Sequence, residues 1–148
     1  MIASLPMYDR PANAAAHDAL WALIRDALLA RGIDAPPALD RATPYEAGWR
    51  RPNLVLGHIC NLPLRAQFAG QLTVIAASDY GLAGCPAGHY ASAVIVRNPS
   101  KAKTVAEALQ GRFACNDLYS HSGFGAAWML ARDHGVALQS DLVTGAHQ

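Results

Sequence analysis

Residues 52–65 read Pro52-Asn53-Leu54-Val55-Leu56-Gly57-His58-Ile59-Cys60-Asn61-Leu62-Pro63-Leu64-Arg65. Leu54–Ile59 is an apolar run of strand length. Asn61 interrupts it, and Leu62–Phe68 then has the spacing of a short helix holding Arg65. Strand, turn and helix in succession form the repeating unit of an α/β fold. The flanking sequence supplies further copies of that alternation.

Upstream, Ile2–Met7 is a second apolar run, ended by Tyr8-Asp9-Arg10-Pro11. A helix follows: Leu20, Leu23, Ile24, Ala27 and Leu28 recur at helical spacing, with Asn13 as N-cap and Gly32 as stop. Pro36, Pro37, Pro44 and Pro52 then break any long element, leaving a loop with one helical turn near Tyr45–Trp49. Downstream, Leu72–Ala77 and Tyr90–Arg97 are rich in Val and Ile and predict two more strands around a Gly-rich loop. Thr104 and Glu107 have capping-box spacing before a helix closed by Gly111. Arg112–Cys115 predicts a very short strand. Phe124, Ala127, Trp128 and Ala131 predict a helix stopped by Gly135, with a last strand near Val136–Leu138. The alternation predicts an α/β fold with a mostly parallel sheet and flanking helices.

Composition narrows the function classes. The 148 residues include 30 alanines, 52% are hydrophobic and 16% charged. That is ample material for a core, so global disorder is excluded. Twelve Lys+Arg against eleven Asp+Glu give a net charge of +1. Such a balance lacks the electrostatic footprint of a general nucleic-acid binder. No stretch approaches the roughly 20 apolar residues of a membrane span. The first ten residues contain neither a basic n-region nor an apolar h-region, so no secretory signal is read there. Three scattered cysteines, Cys60, Cys85 and Cys115, are no disulfide framework.

The chemistry-bearing stretch is Asn116–Gly123. A strand ends, small polar residues follow, and a helix begins. The free N–H groups of a helix start, the hydroxyls of Ser120 and Ser122, and the close approach allowed by Gly123 suit a small anion. Ser120 or Ser122 would equally serve as an ordinary helix cap, and the two roles are compatible. Tyr8 and Asn61 stand in loops after apolar runs, where open α/β sheets bind ligands. Each also has a plain reading, with the Tyr8 hydroxyl on backbone and Asn61 making a turn. His58 with Cys60, and Cys85 with His89, match no zinc spacing, so no metal is expected. No G-x-S-x-G elbow, Walker motif or dinucleotide fingerprint is present, and no cofactor is expected.

The opening strand through Tyr8, the segment Pro52–Arg65, the segment Tyr90-Ala91-Ser92-Ala93-Val94-Ile95-Val96-Arg97 and the helix start Ser120-His121-Ser122-Gly123 resemble, in order and spacing, the phosphonate/phosphite branch of ABC-transporter substrate-binding proteins. The resemblance implies a type II periplasmic-binding-protein fold. Residues 1–97 would form most of a first α/β lobe, incomplete without a C-terminal return. Residues 98–148 would form the hinge and the opening part of a second, truncated lobe. The implied function is recognition of a small oxyanion (phosphonate, phosphate or phosphite) for an ABC permease, without catalysis. The implied ligand-binding residues are Tyr8, Asn61, Tyr90, Ser120, His121, Ser122 and Gly123. His121 stands where the family usually has a small hydroxyl residue. The family's location is periplasmic, whereas the chain's own start leaves the cytoplasm open. A truncated lobe pair would expose apolar surface and associate as a homodimer. The alternatives are a biosynthetic enzyme, with Tyr8, His58, Cys60 and His121 as candidates, or a cytosolic sensor on the same fold.

Overall fold

A computed structural model describes residues 1–145. The chain divides into two compact units, Met1–Ile59 and Cys60–Gln148. The lobe boundary expected at residues 97 and 98 falls inside the second of them.

In the first unit, β1 (Ile2–Ser4) pairs in parallel with β2 (Leu54–Gly57). Both are shorter than the apolar runs that hold them. Pro6 has no N–H to donate, and Tyr8 adopts the left-handed conformation with φ 66°, so β1 cannot continue. The ladder is extended by Ile2 N–H donating to Asn53 O at 2.9 Å and His58 N–H donating to Ser4 O at 3.0 Å. The other edge of β1 is met by the loop: Asp40 N–H donates to Ala3 O at 2.8 Å.

Helix α1 spans Ala14–Leu29. Gly32, at φ 72°, ends it: Gly32 N–H returns to Leu29 O and Ile33 N–H to Leu28 O, the Schellman pattern. Asn13 stands at the N-cap position, but its side chain does not cap the helix. Its Oδ1 accepts from Arg10 N–H and its Nδ2 donates to Tyr8 O, so it clasps the preceding turn. The buried face also differs from the leucine stripe read from the sequence. Leu20 and Leu23 are exposed, and Trp21 is buried with 1% exposure. The face that packs runs Trp21, Ile24, Leu28, and it meets Ala3, Leu39, Val55 and Leu56. Ala3 leaves room for the indole, whose Nε1–H donates to Pro36 O at 3.2 Å. The helical turn expected in the proline-rich loop is α2 (Tyr45–Trp49).

In the second unit, α3 spans Asn61–Gln67 and α4 spans Val105–Leu109. Thr104 Oγ1 accepts from Glu107 N–H, as the capping box requires, while the Glu107 carboxylate takes Lys103 N–H. A two-residue strand β3 (Ala114–Cys115) pairs in parallel with β4 (Leu142–Val143). A π-helical turn, His121–Gly125, leads into α5 (Ala126–Asp133). Gly135 closes α5 by the same two bonds seen at Gly32, from Gly135 to Arg132 O and from Val136 to Ala131 O. Ala127 and Ala131, one turn apart, let Leu109 and Leu138 pack close to the helix. Trp128, read as part of that face, is exposed under Arg132.

Three expected strands do not form. Leu72–Ala77, Tyr90–Arg97 and Val136–Leu138 carry no ladder. Ile75 is 76% exposed and Ile95 88% exposed. A β-branched run fits a pleated, half-buried surface, and it becomes a strand only where an edge is offered. The sheet of the second unit is two residues long and offers these segments none.

Trp21→Ala should cost about 3–5 kcal/mol of folding free energy, read as a lower urea midpoint. Leu23→Ala, on the solvent face of the same helix, should stay within about 0.5 kcal/mol of the parent.

Candidate functional site

The start of the helical segment after Asp117 is held by short-range bonds. Asp117 Oδ1 accepts from Tyr119 N–H at 2.7 Å, and Asp117 O accepts from Ser120 N–H at 3.1 Å. This Asx-type turn sets Ser120 in extended backbone at the N-cap position. Ser120 is 5% exposed. Its Oγ accepts from Gly123 N–H at 3.1 Å and lies 3.5 Å from Ser122 Oγ. Its carbonyl accepts from both Phe124 and Gly125 N–H at 3.0 Å, and this double acceptance produces the π turn.

Those bonds decide what a ligand could find. The Gly123, Phe124 and Gly125 amides are taken by Ser120. The His121 amide donates to the Cys60 thiol. Among the described residues, the Ser122 N–H has no partner. The site therefore offers the Ser122 amide and hydroxyl with the buried Ser120 hydroxyl beside them. That is a narrower donor set than four open helix amides.

Gly123 is required for a packing reason. A Cβ there would collide with Asn116 Oδ1. The sequence reading placed a ligand above Gly123; the structure places the Asn116 side chain against it. Asn116 was legible only as the first residue of the polar stretch after a strand, because its partner lies seven residues on in a helix.

Asn61 opens α3, is exposed, and follows Cys60, whose sulfur meets His121. Leu62 of α3 lies 3.5 Å from the Cβ position of Gly125. The N-terminal end of α3 and the turn after Ser120 are thus brought together. Tyr90 is exposed in irregular chain and presents its ring edge-on to Tyr80, with centroids 6.1 Å apart. Tyr8 belongs to the first unit, is exposed, and its carbonyl accepts from Asn13 Nδ2 at 2.8 Å.

Cys60 and His121 meet through a main-chain amide. Burial pushes the Cys60 thiol up, the His121 amide opposes that, and the Asp117 charge adds to it. The sulfur stays protonated at neutral pH, the opposite of an activated thiolate. His58, half-buried at the end of β2, is held below the ordinary histidine value by burial first and by the charge of His17 second. Among the described residues no group of three or more His, Cys, Asp or Glu is arranged to hold a metal ion. No helix among them is long and apolar enough to cross a membrane. Comparison with protein-family models, with curated proteins and with solved structures gives no match.

Gly123→Ala should destabilise the chain by about 1–3 kcal/mol, because the new methyl displaces the Asn116 amide. Adding Asn116→Gly should recover part of that loss in the same denaturant titration. His58 binds its proton more weakly folded than unfolded. Its contribution to stability is therefore complete above the unfolded value near 6.5 and is lost as pH falls toward the folded one. Thermal unfolding between pH 7 and 5 should show that decline, and His58→Gln should flatten it.

Proposed function

We propose that this chain is a solute-binding module for a small oxyanion of the phosphonate, phosphate or phosphite class. On this reading it delivers the anion to the permease of an ABC transporter. The observation that carries the reading is the Ser122 amide and hydroxyl, left beside the buried Ser120 hydroxyl at the start of a helix. Both hydroxyls can rotate to donate. The Ser122 amide lies at the positive end of the helix dipole, where negative charge is favoured. Neutral donors of this kind can hold an anion without a full countercharge, consistent with a chain whose net charge is only +1. On this reading Asn61, at the end of α3 that adjoins the turn through Leu62, supplies a further amide donor. His121 adds an imidazole at the same turn.

Methylphosphonate, phosphite and inorganic phosphate should each be titrated into the full chain while the melting temperature is followed. At a hundredfold excess over Kd, a binding anion adds about 2.7 kcal/mol. That corresponds to roughly 5–10 °C for a domain of this size. Ser122→Phe should remove the shift. If none of the three anions moves the transition, or if Ser122→Phe leaves the shift intact, the reading fails.

A further inference from the structure

The two apolar runs of the second unit that carry no ladder are close to mirror images of one another. One reads Thr73-Val74-Ile75-Ala76-Ala77-Ser78-Asp79-Tyr80 and the other Tyr90-Ala91-Ser92-Ala93-Val94-Ile95-Val96-Arg97. The mirror point is Cys85. At equal distances from it stand Tyr80 and Tyr90, Ser78 and Ser92, Ala77 and Ala93, Ile75 and Ile95, and Val74 and Val96. Residues that face each other in an antiparallel pair are those equidistant from the turn, so in this register like faces like.

The structure already holds the innermost of these pairs. The loop between the runs is folded by its own short-range bonds. Asp79 Oδ1 accepts from Gly81 N–H at 3.0 Å, Leu82 O from Cys85 N–H at 3.1 Å, and Pro86 O from His89 N–H at 3.0 Å. Gly84 and Gly88, at φ 81° and 72°, supply the left-handed residues those turns need. The loop brings its two ends together, and the Tyr80 and Tyr90 rings meet edge to face, 6.1 Å apart at 87°. That contact is independent of the sequence symmetry and falls in the register the symmetry gives. Beyond it the runs are open: Val74, Ile75, Val94, Ile95 and Val96 are exposed.

We propose that residues 73–80 and 90–97 are the two arms of an antiparallel hairpin that closes within one chain, in the register set by the Tyr80–Tyr90 contact. Closure pairs β-branched side chains at Ile75 with Ile95 and at Val74 with Val96, and sets two hydroxyls opposite at Ser78 and Ser92. Neither arm contains a proline, and Asp79 is the one charge between Thr73 and Val96 within them, so nothing in them blocks a ladder or repels the facing arm. The folded loop has already met the entropy of bringing the arms together. A two-stranded hairpin is only marginally stable in water, so open and closed forms lie close in free energy. The structure shows the open form, and the closed one is a second conformation of the same segment. The inference does not rest on the anion reading at Ser122, and each can fail without the other.

The test is NMR on the full chain. Nuclear Overhauser contacts between backbone protons should join residues equidistant from Cys85, from Ser78 and Ser92 out to Val74 and Val96. Amide hydrogen exchange supplies the second readout. Ala93→Pro removes an amide from one arm and cannot continue a ladder. It should speed exchange at the bonded amides of residues 73–79, in the other arm, by about three- to thirtyfold. Tyr90→Ala, which removes the registering contact, should speed the same amides by a smaller factor. The amide spectrum outside residues 70–100 reports that each variant is folded. An isotope-filtered experiment on mixed labelled and unlabelled chains should show no such contact between chains. The proposal is overturned if the two arms give no contacts, if the contacts follow another register, or if they run between chains alone. Unchanged exchange at residues 73–79 in folded Ala93→Pro overturns it too.

Discussion

The first unit depends on how β1 is satisfied along both edges. Its Ser4 carbonyl accepts from His58 on one side, and its Ala3 carbonyl accepts from Asp40 on the other. A three-residue strand has little ladder of its own. The second acceptor bond makes the loop act as the missing neighbour strand. Leu39, next to the donating residue, is thereby drawn under Trp21. Asp40 turns outward, where its carboxylate organises Ala42 and Thr43. The Asp40 amide thus ties the β1 edge to the loop whose Leu39 completes the indole core.

The second unit is organised by a helix start. Ser120 is buried while using its hydroxyl and its carbonyl on the following turn. Those bonds consume amides that a bare helix end would offer. The donor set that survives is small and sits at Ser122. Strong self-capping and open anion binding draw on the same N–H groups, so each amide taken by the cap is lost to a ligand. Asn116 against Gly123 adds a steric limit to the same place.

Local signals were legible wherever a few consecutive residues decide the backbone. Gly32 and Gly135 stop their helices because a left-handed residue closes two carbonyls there. Thr104 and Glu107 fix the start of α4 because their side chains reach amides within four residues. The turn at Tyr45–Trp49 stays short because Pro44 precedes it in extended backbone and Pro52 follows. Of the candidate site, the polar turn after Asn116 was legible as a helix start. The seating of Asn116 on Gly123 and of Cys60 on the His121 amide was not, because neither partner is near in sequence.

Sequence by itself determined where helices begin and end, which chain is apolar, and that charge plays a minor part. Tertiary structure decided which apolar residues are buried. Trp21 is chosen over Leu20 and Leu23 because Ala3 leaves a space that only one face of α1 can fill. It also decided which β-branched runs become strands. Ile2–Ser4 finds β2 and the Asp40 amide, while Leu72–Ala77 and Tyr90–Arg97 find no edge. A helix closes its hydrogen bonds within its own sequence, whereas a strand closes them only with a partner whose position the local sequence does not encode.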